Sequence, residues 1–146
     1  MPKIPALPPL GKTGLEKLSA FRWELRRFLR FSEDAAREAG ITVLQYQLML
    51  HTQGFPGRDW ASIGELAERL QAQHHGVVAL VSRCEEAGLV RRHQNKEDRR
   101  LVEVHLLAKG RRLLELLGAQ HDAELDRLSA VLRRENDSRE SSRADG

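Results

Sequence analysis

The chain has 146 residues, room for one domain with a modest core. Lys and Arg number 24 against 21 Asp and Glu, a net charge of +3, so a grip on nucleic acid must come from where the cations sit rather than from their total. One cysteine excludes an internal disulfide framework, no apolar run is long enough to span a membrane, and Met1-Pro2-Lys3-Ile4-Pro5 lacks the apolar core of a signal peptide; a cytoplasmic protein is the expectation.

Residues 1–12 carry Pro2, Pro5, Pro8 and Pro9 and read as a flexible, extended arm. From Leu15 to Ala39 the pattern is helical. Leu15, Leu18, Arg22, Leu25, Leu29 and Ser32 trace one face, flanked by Phe21, Phe28 and Phe31, and Gly40 is the expected stop. That is more apolar surface than a small domain can cover. Each large side chain contributes about 1.5–3 kcal/mol when buried, so packing against a second subunit is expected. Thr42-Val43-Leu44-Gln45 is a capping box in its Gln form. It opens a helix to about Gln53 with Leu44, Leu48 and His51 on one face. Gly54 to Asp59 is a loop, and Trp60-Ala61 leads onward.

Ser62-Ile63-Gly64-Glu65 is a second capping box, and Ile63, Leu66, Ala67 and Leu70 follow at helical spacing. After the connector Gln71-Ala72-Gln73 the pattern restarts with Val77, Leu80, Val81 and Cys84. Gly88 stands where a helix end wants a left-handed residue. Two short helices on a tight connector suggest a helix-turn-helix. The outer face of the second helix carries Gln73, His74, His75, Gly76, Val78, Ala79, Ser82 and Arg83, polar in the first turn and then small. A helix entering a DNA major groove needs such a face. A plain solvated face would look the same.

The next stretch shifts the balance. Val90 to His93 runs up, Gln94 to Asp98 turns, and Arg99 to Leu106 runs down with Val102, Val104 and Leu106 alternating against Leu101, Glu103 and His105. Arg91, Arg92, Lys96, Arg99 and Arg100 crowd on or near the tip and repel one another unless an anion is met there. The negative potential of a DNA minor groove suits inserted arginine. Asp98, two residues from Arg100, reads as an ion pair that aims it; an ordinary surface pair would contribute little.

Arg111 to Gln120 and His121 to Arg134 read as helix, with Leu113, Leu114, Leu116 and Leu117 followed by Leu125, Leu128, Val131 and Leu132, and Gly118 as a bend or division. Residues 135–146 are polar and unpatterned and read as a disordered tail.

Taken together, Ser62 to Ala67, Leu80 to Val90 and Asp98 to Leu106 resemble the MarR family of bacterial transcription regulators, whose wing motif Asp-x-Arg is matched by Asp98 and Arg100. The resemblance covers roughly Leu15 to Leu132. It implies a mainly α fold with a small β-wing: a winged helix-turn-helix over about 42–106 with N- and C-terminal dimerisation helices at about 15–39 and 111–134, together a domain over 13–134. It also implies a homodimer on a pseudopalindromic double-stranded DNA operator, most often a repressor released by a small effector. Three departures stand out, one of them Cys84 in place of the common leucine on the inner face. Gln73 and His74 occupy the start of the recognition helix where relatives carry Ser or Thr, and Leu106 to Gly110 offers no hydroxyl to cap the helix after the wing.

On that reading Gln73, His74, His75 and Val78 lie toward base edges, the small Gly76 and Ala79 share the DNA-facing surface, Arg83 lies at phosphate, Arg100 in the minor groove, and Lys96 and Arg99 at phosphates. The family also implies a pocket between the dimer helices and the DNA-binding unit for a small aromatic or phenolic ligand. Trp23, His51, Phe55 and Trp60 are its candidate lining, each equally at home in plain core. No Gly-rich phosphate loop, nucleophile elbow or zinc-protease pattern is present, so no enzyme, cofactor or metal is expected. His74 and His75 point about 100° apart on a helix and chelate one ion poorly. His51, His105 and His121 could converge only through the fold. Cys84 faces inward with Leu80 and Val81 and reads as a packed thiol rather than an oxidation sensor. A redox- or metal-responsive regulator and a non-specific architectural DNA binder remain the alternatives.

Overall fold

The computed structural model describes residues 2–3 and 6–144. In chain order the elements are α1 (Lys12–Glu38), α2 (Val43–Gln53), β1 (Trp60–Ser62), α3 (Ile63–Leu70), α4 (His74–Glu86), β2 (Val90–Gln94), β3 (Val102–Leu106) and α5 (Ala108–Ala144). The strands form one antiparallel sheet in the order β1-β3-β2. By internal contacts the chain divides into two units, Ser32–Asp122 and a second made of Met1–Phe31 with Ala123–Gly146.

Both capping boxes form. The Thr42 hydroxyl accepts from the N–H of Gln45 at 3.1 Å, and the Gln45 side chain accepts from the N–H of Thr42 at 2.9 Å. Ser62 and Glu65 repeat the exchange at 3.1 and 2.9 Å. The Glu65 carboxylate also pairs with Arg58. Burial raises the Glu65 pKa, but the Ser62 hydrogen bonds and the Arg58 charge more than offset it and hold the group below its ordinary value.

The core of the larger unit is built as the α4 periodicity predicts. Val77, Leu80, Val81 and Cys84 all face inward and meet Leu48, Met49, Leu66, Leu89, Val90 and Val104, each nearly or wholly removed from solvent. Gly88 closes α4 with φ +73, a left-handed conformation that costs glycine nothing. Gly110 serves differently. A Cβ there would overlap the carbonyl of Leu89, where the chain entering α5 crosses close to the end of α4 and Leu107 donates its N–H to that carbonyl at 2.9 Å. His121 is buried, its Nδ1–H donating to the Leu117 carbonyl at 2.7 Å and its Nε2 accepting from Ser32 at 2.9 Å, with its ring stacked on Tyr46.

Four expectations are corrected. The inward face of α2 is Tyr46, Leu48, Met49 and Thr52, while Leu44 is exposed; a helix covered from several directions buries more than one stripe. Trp60-Ala61 is not a mere lead-in but strand β1, pairing Trp60, Ala61 and Ser62 with His105, Val104 and Glu103. Gly118 does not divide α5. One glycine costs a helix only about 1 kcal/mol, less than the flanking leucines Leu114 and Leu117 return on burial. The helix also continues beyond Arg134 to Ala144, through residues expected as a disordered tail; no Gly or Pro intervenes before Gly146 to break it. Residues 145–146 lie outside the described residues, as do Met1, Ile4 and Pro5 of the N-terminal arm.

In the second unit, Arg127 of α5 bridges Glu24 of α1 at 2.9 Å and Glu124 at 3.2 Å. Much of the apolar surface there stays in water: Leu15, Leu18, Trp23, Leu29 and Leu125 are all about half exposed or more.

Candidate nucleic-acid interface

The N-terminal turn of α4 projects from the core without a side-chain cap, since Gln73 makes no capping hydrogen bond. Its unsatisfied N–H groups therefore face outward. Gln73, His74, His75, Gly76, Ala79 and Arg83 are exposed and Val78 is half-buried. The entry to this turn is set by Gln71, which takes φ +50 and folds its own amide back onto the Glu68 carbonyl at 2.7 Å.

The wing is organised by Asn95. Its Oδ1 accepts from the N–H groups of Glu97 and Asp98 at 2.9 Å each, and its Nδ2 donates to Glu103 at 2.6 Å. Asp98 accepts in turn from the backbone N–H of Arg100 at 3.1 Å and from its Nε at 3.3 Å. The expected ion pair is present, and it leaves the Arg100 side chain 94% exposed. Lys96 and Arg99 are exposed beside it. Arg92 departs from the expectation of a wing of uncommitted cations. It reaches back to α4, donating to Glu85 at 2.8 Å and to the Ser82 hydroxyl, and so spends its charge fixing the angle between β2 and α4. The sequence signal for this was Glu85 on the half-buried flank of α4, seven residues from Arg92.

These parts meet at one place. A cleft of about 480 Å³ is lined by Gly64 of α3, His74 and Val78 of α4, and Arg92, Arg100 and Leu101 of the wing. The exposed start of α4 and the Asp98-held wing arginine thus border the same concavity.

The sequence model of the MarR family matches residues 39–101. Over these residues the chain is similar to the MarR family. Solved structures agree over nearly the whole chain. The fold is similar to that of AbsC, a MarR family transcriptional regulator from Streptomyces coelicolor, with TM-score 0.73, 22% identity, and 94% of this chain and 93% of that one covered. It is similar to a MepR mutant from S. aureus bound to an oligodeoxyribonucleotide, with TM-score 0.62, 19% identity and coverage of 88% and 92%. It is also similar to CouR from Rhodococcus jostii bound to p-coumaroyl-CoA, with TM-score 0.62, 24% identity and coverage of 79% and 82%. No curated protein matches the chain by sequence.

The remaining sequence candidates fall elsewhere in this MarR-type fold. Phe55 and Trp60 come together around Arg58, whose guanidinium carbon lies 4.2 and 3.8 Å from the two ring centroids, and Arg69 stands 5.0 Å from the Phe55 ring on its own account. His51 is half-buried on α2. Burial and then the Arg69 charge hold its pKa below the ordinary value, favouring the neutral imidazole. Trp23 belongs to the other unit and lines a hollow of about 300 Å³ with Arg22, Leu25, Arg26 and Leu29, all on α1. Cys84 is wholly buried, and burial pushes its thiol up to about 11. Such a thiol is protonated at neutral pH and a poor nucleophile. Among the described residues no helix is long and apolar enough to cross a membrane.

The histidines do not converge as a set. His121 serves the core, His51 lies near Arg69, and His74 and His75 are exposed on α4. His105 does acquire companions the sequence did not suggest: His93 across the sheet and Glu103 two residues away. The missed signal is the hairpin register, which places His93 directly opposite Glu103.

Proposed function

We propose that this chain is a homodimeric, sequence-specific regulator of transcription that binds a pseudopalindromic double-stranded DNA operator and acts as a repressor released by a small aromatic or phenolic effector. The observation that carries the DNA half of this reading is the shared cleft. His74 and Val78 at the start of α4 and the Asp98-held Arg100 border one concavity, so an α4 seated in a major groove brings Arg100 to the adjoining minor groove. Gln73, His74, His75 and Val78 read base edges, Gly76 and Ala79 allow close approach, and Arg83, Lys96 and Arg99 meet phosphates. The oligonucleotide on the MepR mutant supports DNA as the partner.

The dimer is supported by the half-exposed leucines of α1 and α5, surface that water leaves costly. Two copies of α4 then enter successive major grooves about one helical turn apart. The effector half rests on the p-coumaroyl-CoA held by CouR and on the aromatic groups His51, Phe55 and Trp60 within Ser32–Asp122, with Trp23 set apart in the other unit. No step in this reading calls for catalysis, and the work is done in the cytoplasm with the DNA.

Selection of fragments of the source genome by the purified protein tests the reading. Enrichment of a few pseudopalindromic sites is expected. Equal capture of all fragments would favour an architectural binder, because phosphate contacts carry no sequence information, and no capture at low salt would refute DNA binding.

A further inference from the structure

We propose that His93, Glu103 and His105 form a binding site for a divalent transition-metal ion of the zinc type on the outer face of the wing. The face follows from strand geometry. In β3, Val104 and Leu106 point into the core, so Glu103 and His105 point away from it, and the register sets His93 of β2 opposite Glu103. Their ligand atoms lie within 4.8 Å of one another. His105 Nε2 is 3.0 Å and His93 Nε2 is 3.6 Å from the same carboxylate oxygen, Glu103 Oε1. A tetrahedral zinc ion with ligands at 2.0–2.1 Å separates them by roughly 3.3 Å, so the set is near the required spacing already. The two imidazoles are stacked with centroids 4.5 Å apart. A turn of the more exposed His93 ring, 42% accessible, would aim both lone pairs at one ion.

The surroundings suit the task. The Glu103 side chain is only 10% exposed, and its second oxygen accepts from Asn95 at 2.6 Å, an outer hydrogen bond of the kind that orients ligating carboxylates. Trp60 of β1 stacks beside His105 at 6.0 Å and limits its rotation. The cation nearest in register, Arg91 opposite His105, is exposed and carries its charge on a long stem. Two imidazoles and one carboxylate favour zinc, cobalt, nickel or copper over magnesium and calcium, which prefer oxygen. Three protein ligands leave a position open to water. Because Asn95 also receives the N–H groups of Glu97 and Asp98, an ion on Glu103 would brace the turn that holds Asp98 and Arg100. The site does not depend on the DNA reading.

The test is titration of the purified, chelator-treated chain with Co²⁺, followed by displacement with Zn²⁺. The expected result is one ion per chain with visible absorption bands of four- or five-coordinate cobalt, and a thermal midpoint raised by Zn²⁺ through preferential binding to the folded state. His93→Ala and Glu103→Gln should each weaken binding at least tenfold and abolish the zinc-dependent rise. Glu103→Gln retains an oxygen for Asn95 and controls for loss of fold. A His74→Ala/His75→Ala double variant should bind as the parent does. Absence of the bands, binding unchanged in the His93 and Glu103 variants, or binding lost in the His74/His75 variant would overturn the proposal.

Discussion

The two units of this chain cover their apolar side chains to different extents. In Ser32–Asp122, Leu48, Leu66 and Val81 are at 0% exposure, and every side chain of the α4 quartet finds cover within the same unit. In the other unit Leu15 and Leu18 are 53% and 54% exposed and Trp23 is 63% exposed. The same residue types with the same helical spacing thus complete a core in one place and leave a face open in the other. A winged helix-turn-helix can satisfy itself, whereas the open face calls for another surface, and under the proposed function that surface is a second copy.

The largest effect should come from breaking the open face. Leu18→Glu keeps α1 helical but places a charge on the proposed dimer seam. A twofold interface uses each residue twice, so at about 1.5–3 kcal/mol per side chain the loss is roughly 3–6 kcal/mol, or on the order of 10²–10⁴ in the dimerisation constant. Analytical ultracentrifugation reads this directly, and circular dichroism of the folded chain should change little. Next comes the closed core. Leu66→Ala should lower unfolding stability by about 2–5 kcal/mol in chemical denaturation. Were Leu18→Glu to unfold the chain and Leu66→Ala to dissociate it, the division of labour would be wrong.

Smaller effects sharpen the DNA side of the comparison. Arg100→Ala should weaken operator binding and flatten its dependence on salt, by a slope of up to ~0.9 per subunit in log K against log salt. His75→Ala should instead change which bases are preferred, with the salt slope nearly kept. Fluorescence anisotropy over a salt series separates the two. The smallest effect is a pH slope from Glu65. Its folded pKa lies below the ordinary value near 4.5, so its stabilisation is complete above that value and is lost as pH falls through the folded pKa. Glu65→Gln should flatten stability against pH below about 4.5 and leave the slope near neutrality unchanged.

How much of this was legible in the sequence depends on how far apart the partners are. The capping boxes at Thr42 and Ser62, the inward quartet of α4, the left-handed Gly88 and the Asp98–Arg100 pair all join residues within a few positions, and each follows from local rules. The third strand was missed because Trp60-Ala61-Ser62 is three residues long and becomes a strand only through β3, more than forty positions on. Arg92 read as a wing cation because its partner Glu85 lies on another element. His93, Glu103 and His105 are hidden for a similar reason: the three groups meet across a hairpin rather than at a metal-binding spacing along one segment. Continuation of α5 past Arg134 is obscured because residues 135–144 mix Glu, Arg and Ala with Asn, Asp and Ser and carry no apolar period to mark a helix.

The most direct test of the central claim is the stoichiometry of the parent chain and of Leu18→Glu on one selected duplex, read by native mass. Two copies per duplex for the parent, and loss of the complex in Leu18→Glu at equal concentration, are the results the account predicts. A stable complex with a single copy, equally tight in both proteins, would contradict it.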